Sequence, residues 1–276
     1  MLGWSGKVVI TVPGLGRLYG EANPGNRKAG LRRAIVERFL RIAAVRAEVT
    51  FETAADRDVW IERRLIRPEQ ATTTQGTGVD LDRFLPGRRD NGEQLNVLFA
   101  GRLLRSKGID VYLRAAAIMR DTAIQRRIAG FIETDPDAVS AESLKSHPEI
   151  QFLGQVADMD RLLRETDIVV LPSRYREGVP RILIEAAANG CIPVTTRFPG
   201  SAILIEQGKT GYFLDGDSDE EIAQELAARI RELSGDPARR ASIGRAAAEK
   251  VRRDGFGNAD VANAFLAIYR RAVGKV

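Results

Sequence analysis

The chain has 276 residues, a formal net charge of +5 and a sequence pI near 9.5, which points to an anionic partner such as nucleic acid, anionic lipid or a phosphate-bearing substrate. With 44% hydrophobic and 29% charged residues, and ordinary counts of 26 Gly and 11 Pro, it is a globular sequence, neither collagen-like nor low in complexity. One cysteine, Cys191, excludes a disulfide framework within the chain and suits a reducing cytoplasm, and no run approaches the ~18 apolar residues of a membrane span.

Residues 7–12 (KVVITV) predict a buried strand that turns sharply at Pro13-Gly14-Leu15-Gly16. The apolar run is too short for a signal peptide and lacks a cleavage pattern. Gly14, Gly16 and Gly20 approach the dinucleotide fingerprint, but one residue too long, after a polar loop over 21–27. The next predicted strand, 48–52, ends in Glu52 where a ribose-binding acid would stand, yet later than that motif requires, so NAD is not expected. Between them a helix over 28–45 carries Arg27, Lys28, Arg32, Arg33, Arg38, Arg41 and Arg46 in and around it against Glu37 alone. Its apolar residues Leu31, Ile35, Phe39 and Ile42 fall at helical spacing. Two readings stand side by side: a surface helix with a solvated basic face, or a helix lying on an anionic membrane surface.

A helix over 54–65 and a strand over 71–74 precede GTGVDLDRFLPG, which reads as a linker, with a domain boundary expected at 87–92. A regular alternation follows: strand 96–100, helix 109–120, strand 127–130, helix 137–145, strand 150–153, helix 159–165, strand 167–171, helix 180–189, strand 191–196, helix 201–207 and strand 211–214. Helices over 219–233, 237–252 and 258–272 close the chain. Strands alternating with helices predict a parallel sheet that binds ligands beyond the carboxyl ends of its strands.

The most informative stretch is DIVVLPSRYREGVPRILIEAAANGCIPVTT, residues 167–196. Glu177 stands in the loop before the helix, and Glu185 stands inside it in the run ILIEAAA, where an ionised carboxylate without a partner would be costly to bury. The helix start offers unpaired N–H groups and the positive end of a dipole to a phosphate. Phosphates at Gly178, Val179, Pro180 and Arg181 with hydroxyls near Glu177 and Glu185 would describe a nucleotide sugar. Cys191 opens the following strand and is expected to be a buried, inert thiol.

GRLLRSKGID places Gly101, Arg102 and Lys107 at another carboxyl end, where a forked and a compact cation could hold a diphosphate. Asp215-Gly216-Asp217 has metal-like spacing, but Ser218 and Glu221 form a capping box that makes it a turn and a helix start. His147 lies in a polar loop with no nucleophile or zinc partner at a meaningful spacing. No nucleic-acid recognition motif accompanies the basic helix, so neither nucleic acid nor a metal is expected.

Taken in order, GRLLRSKGID, FLGQV, EGVPRILIE and PGSAILIEQGKTGYFLDGDS resemble the donor domain of retaining GT-B glycosyltransferases of family 4, over nearly all of 95–276. A weaker match through TVPGLGRLYG and GVDLDRF runs back to about Lys7 and looks closest to bacterial enzymes that extend polyprenyl-diphosphate-linked sugars for capsule, O-antigen or glycan assembly. The resemblance implies an α/β GT-B fold, with a Rossmann-like parallel-sheet donor domain over 91–257, a partial acceptor-side α/β domain over 1–90, and a helix over 258–276 that crosses back. It implies that Arg102 and Lys107 contact the donor diphosphate and that Glu177 approaches the transferred sugar. The amides of Gly178 and Val179 would lie near sugar or phosphate, and Glu185 would hold the ribose hydroxyls. Gly101, Pro180, Gly14 and Gly16 complete the expected donor-binding set. It also implies a nucleotide-sugar substrate, UDP-linked, a lipid-linked or glycan acceptor, no metal or cofactor, and a cytoplasmic enzyme at the inner membrane face. Relatives place His where this chain has Pro13, so no histidine-dependent role carries over. A transferase, a donor-binding module without turnover and a nucleotide-sugar epimerase of the same architecture all remain open.

Overall fold

A computed structural model describes residues 7–16, 27–87, 94–119, 124–174 and 177–274. Two parallel sheets organise them. The smaller has the order β1 (Val8–Val12), β2 (Ala47–Phe51), β3 (Ala71–Thr73). Helix α1 (Arg27–Ala44) connects the first two strands, and α2 (Ala54–Glu62) the second and third. Val49, Phe51, Trp60, Leu65 and Ile66 form this unit's core, with Phe51 and Trp60 edge to face at 5.4 Å.

The larger sheet contains β4 (Leu95–Ala100), β5 (Ile124–Ala129), β6 (Ile150–Phe152), β7 (Ile168–Leu171), β8 (Ile192–Thr196) and β9 (Tyr212–Leu214), in the order β6-β5-β4-β7-β8-β9. Its central strands LNVLFA and IVVL are apolar runs because helices cover both faces of a parallel sheet. The covering helices are α3 (Ile109–Ile118), α4 (Ala141–Lys145), α5 (Met159–Arg164), α6 (Arg181–Ala188), α7 (Pro199–Leu204), α8 (Asp219–Ser234) and α9 (Pro237–Arg253). Side chains cap several of them where the sequence places a short acceptor: Thr53 for α2, Ser140 for α4, Asp158 for α5, Ser218 for α8 and Asp236 for α9. After α9, α10 (Asn258–Ala272) reaches back to the smaller sheet, where Arg271 meets Glu48 at 3.2 Å and the Thr72 hydroxyl.

Three element starts differ from the sequence reading by two residues or more, for physical reasons. Strand β5 starts at Ile124, because Arg126 and Arg127, which argue against a buried strand, find acceptors inside for their terminal nitrogens: Arg127 donates to the Glu165 carbonyl at 2.6 Å and Thr166 Oγ1 at 3.2 Å, and Arg126 to the Met119 carbonyl. Helix α4 begins at Ala141, since residues 135–139 are tied to the loop after β4 by Arg105 N–H to the Asp137 carbonyl (2.8 Å) and Val139 N–H to the Leu103 carbonyl (3.0 Å). Helix α7 starts at Pro199, two residues early, where the Ser201 hydroxyl accepts the Phe198 N–H at 3.0 Å. The expected linker is not slack: Val79 pairs with Phe256 and Asn258, and Gln75 donates to the Asp254 carbonyl at 2.7 Å. The boundary at 87–92 falls mostly on residues outside the described set, as does Gly20 of the glycine pattern.

Candidate functional site

Strands β4 to β6 run to one side of the sheet and β7 to β9 to the other, so the switch in strand order lies between β4 and β7. A crevice outside the carboxyl ends is expected there. Lys107 follows β4 in a single turn of 3₁₀ helix over Arg105–Lys107, and Glu177 follows β7. Gly108 adopts φ 79° to start α3 immediately afterwards, which aims Lys107 back across the switch point.

Lys107 Nζ and Glu177 Oε2 form an ion pair, with side chains only 14% and 10% exposed. The Ser173 hydroxyl holds the other Glu177 oxygen, and Thr196 Oγ1, from the end of β8, donates to the Ser173 carbonyl. Thus three adjacent strand ends fix one carboxylate. The sequence reading found Lys107 and Glu177 but not that they pair, nor Ser173 and Thr196 behind them. Gly101 stands directly after β4, and the exposed Arg102 lies 3.7 Å from Glu133.

Glu185 is buried in α6, but the expectation that it needs a polar ligand as partner is corrected: Arg181, one turn earlier, donates from Nε to Glu185 Oε1 at 2.7 Å. The i,i+4 spacing Arg181-Ile182-Leu183-Ile184-Glu185 was the available signal. Pro180 is the N-cap of α6, with no side-chain cap. Val179 also departs from expectation. Its N–H donates to Glu52 Oε2 at 2.9 Å, so that donor is taken up by the protein itself. The acid that stood in the ribose position of a failed dinucleotide pattern therefore serves the loop after β7.

Gly14 and Gly178 meet backbone to backbone: a Cβ on Gly14 would lie 2.7 Å from Gly178 N, and one on Gly178 would collide with the Pro13 carbonyl and the Glu52 carboxylate. Gly16 has φ 53° and open space around it, so it belongs to the same turn without touching that loop. Asp215 is held by both ends of Arg197 at 3.0 and 3.1 Å, and Ser218 and Glu221 close the capping box of α8. Cys191 is buried, its thiol 3.2 Å from the Thr166 carbonyl, and His147 faces Glu149 at 2.9 Å.

The sequence profile of the family "Glycosyl transferases group 1" matches residues 84–250, which include every residue of the β4 to β8 cluster. A D-inositol 3-phosphate glycosyltransferase from Arthrobacter sp. (strain FB24) is 33% identical over 217 residues, 71% of this chain and 49% of that protein. The chain spans about half the length of the curated relatives it matches. A glycosyltransferase structure from Rickettsia africae ESF-5 superposes with TM-score 0.78 at 18% identity, covering 97% of this chain and 71% of that one. HepE of Anabaena, in complex with UDP and glucose, gives 0.68 at 18% identity over 85% of this chain and 67% of its own. These structural likenesses bear on the fold, which is the GT-B arrangement of α/β units with parallel sheets. By the extent of the profile match, this chain belongs to the group 1 family of glycosyl transferases.

Proposed function

We propose that the protein moves a sugar from a UDP-sugar, with retention, to a lipid-linked or glycan acceptor in cell-envelope polysaccharide synthesis, as a family 4 enzyme of the kind that extends polyprenyl-diphosphate-linked glycans. The observation that carries this reading is the Lys107–Glu177 pair at the topological switch point, built from three strand ends. An ammonium has three donors, so Lys107 can hold Glu177 and a phosphate oxygen together. Arg102 would flank the same diphosphate, and Glu177 would face the sugar. Glu185, oriented by Arg181, would accept from the ribose hydroxyls. Transfer then rests on positioning and on stabilising the departing diphosphate. In this reading 1–90 form the acceptor-side unit, 91–257 the donor domain, and 258–276 the helix joining them.

Isothermal titration with UDP, GDP and UDP-sugars tests it. UDP is expected to bind, and Glu185→Ala to weaken it about tenfold by removing one charge-assisted acceptor. A chain that takes up neither UDP nor GDP overturns the reading. Turnover on a polyprenyl-diphosphate sugar separates an enzyme from a donor-binding module.

A peripheral membrane contact belongs to the same proposal. Among the described residues no helix is long and apolar enough to cross a membrane. Along α1, however, Leu31, Ile35, Phe39 and Ile42 face outward, with Phe39 67% exposed, while Leu40 and Ala44 face the core. The apolar stripe read from the sequence is therefore an outward face of the helix. The flanking charges are basic; the helix's acid, Glu37, is turned inward to Arg63 at 2.9 Å. A cavity of about 410 Å³ at the end of the helix is lined by Arg41, Arg64 and Arg67 among apolar side chains. An apolar stripe with arginine flanks suits an anionic bilayer. Flotation with vesicles containing anionic lipid is expected to carry the protein, neutral vesicles to leave it behind, and Phe39→Glu to abolish the difference. Equal flotation on both lipids removes the membrane contact from the proposal.

A further inference from the structure

Glu52 stands just past the carboxyl end of β2 and is 7% exposed. Its carboxylate reaches from the smaller sheet to the Val179 N–H at 2.9 Å, joining residues 127 positions apart. The socket around it is made of backbone. A Cβ on Gly76 would sit 2.8 Å from its Cδ, and one on Gly178 would collide with Oε2. Burial pushes the carboxyl above the usual carboxylate range, the Val179 N–H opposes that, and Asp56 on α2 adds to it. An acid kept in an unfavourable site by such a close fit invites a functional reason.

The segment Glu177-Gly178-Val179 is held at both ends. Glu177 is pinned within the larger unit by Lys107 and Ser173, and Val179 is pinned from the smaller unit by Glu52. We propose that Glu52 is a positioning residue: by holding the Val179 amide it sets the loop conformation in which Glu177 meets Lys107. The glycine at 178 is then required by the approach of Pro13 and Glu52, not by turn geometry. The inference rests on the donor role given to Glu177, and it ties the smaller unit to how the sugar is gripped.

The test compares Glu52→Ala and Glu52→Gln in the full chain, at a temperature where circular dichroism shows both folded. Glutamine keeps an oxygen that can accept the Val179 N–H; alanine does not. Affinity for a UDP-sugar is expected to fall about tenfold in Glu52→Ala and to stay within about threefold of the parent in Glu52→Gln. Free UDP, which lacks the sugar facing Glu177, is expected to weaken less. Amide exchange of peptides covering 177–180, read without any ligand, is expected to speed up in Glu52→Ala and not in Glu52→Gln. Should the alanine variant not fold, Glu52→Asp, one methylene too short, takes its place. A purely structural role predicts a lowered melting temperature with unchanged UDP-sugar affinity and unchanged exchange at 177–180; that result overturns the proposal. If the parent chain binds no nucleotide, the proposed function fails, and the exchange comparison alone still decides whether Glu52 positions the loop.

Discussion

Lys107→Ala is expected to lower both the stability of the fold and the affinity for UDP, through two separable effects. In the fold, removing one partner of a mostly buried ion pair leaves Glu177 with Ser173 alone, at a cost of about 3 kcal/mol or somewhat less given the residual exposure. In binding, the loss of a charge-assisted contact to the diphosphate is expected to weaken UDP about a hundredfold. The double variant Lys107→Met/Glu177→Gln separates them. Without a stranded charge, its urea midpoint is expected to return to near that of the parent. UDP affinity is expected to stay low, because methionine offers no donor. If the double variant regains UDP binding together with stability, Lys107 serves only the fold and the diphosphate role belongs elsewhere.

The larger sheet was readable because its physics is local. Buried parallel strands are short apolar runs, their helices are amphipathic or capped, and Ser218, Asp236 and Pro237 announce their helices within a few residues. Glu177 and Lys107 were visible because carboxyl ends of parallel strands follow from strand order alone. What stayed hidden depends on distance in the chain. Glu52 meets Val179 across 127 positions, and no spacing encodes that. The facing of α1 was hidden for another reason. Its apolar residues form a clean helical stripe, and periodicity reports that one face differs from the other, not which one meets the core. Glu185 erred in the opposite sense: its partner was four residues away, but the cost of a buried acid was weighed before the local i,i+4 arginine. Arg126 and Arg127 show the same limit in β5, where carbonyls and a hydroxyl from other elements make two arginines acceptable in a buried strand.

Gly178→Ala is the sharpest probe of how the two sheets meet. Gly178 lies between the Pro13 carbonyl and the Glu52 carboxylate on one side and Gly200, at the start of α7, on the other. A Cβ on Gly200 would in turn strike the Gly178 carbonyl, so three glycine backbones, Gly14, Gly178 and Gly200, stack where side chains have no room. One methyl group at position 178 must therefore push β1 and the end of β2 away from the loop. Backbone cannot swing aside as a flexible side chain would, and overpacking of this kind costs about 2 kcal/mol. The melting temperature is expected to fall accordingly. The larger consequence is local: displacing the loop pulls Val179 off Glu52 and shifts Glu177 from Lys107, so UDP-sugar binding should be lost even at temperatures where the variant is fully folded. Gly200→Ala presses on the same carbonyl from the far side and is expected to reproduce the binding defect. Gly16→Ala, whose Cβ would meet nothing within 4 Å, is expected to strain only its own turn at φ 53° and to leave donor affinity intact. Unimpaired UDP-sugar binding in a folded Gly178→Ala protein would show that the loop tolerates separation of the sheets, and that Glu177 is positioned from within the larger unit alone.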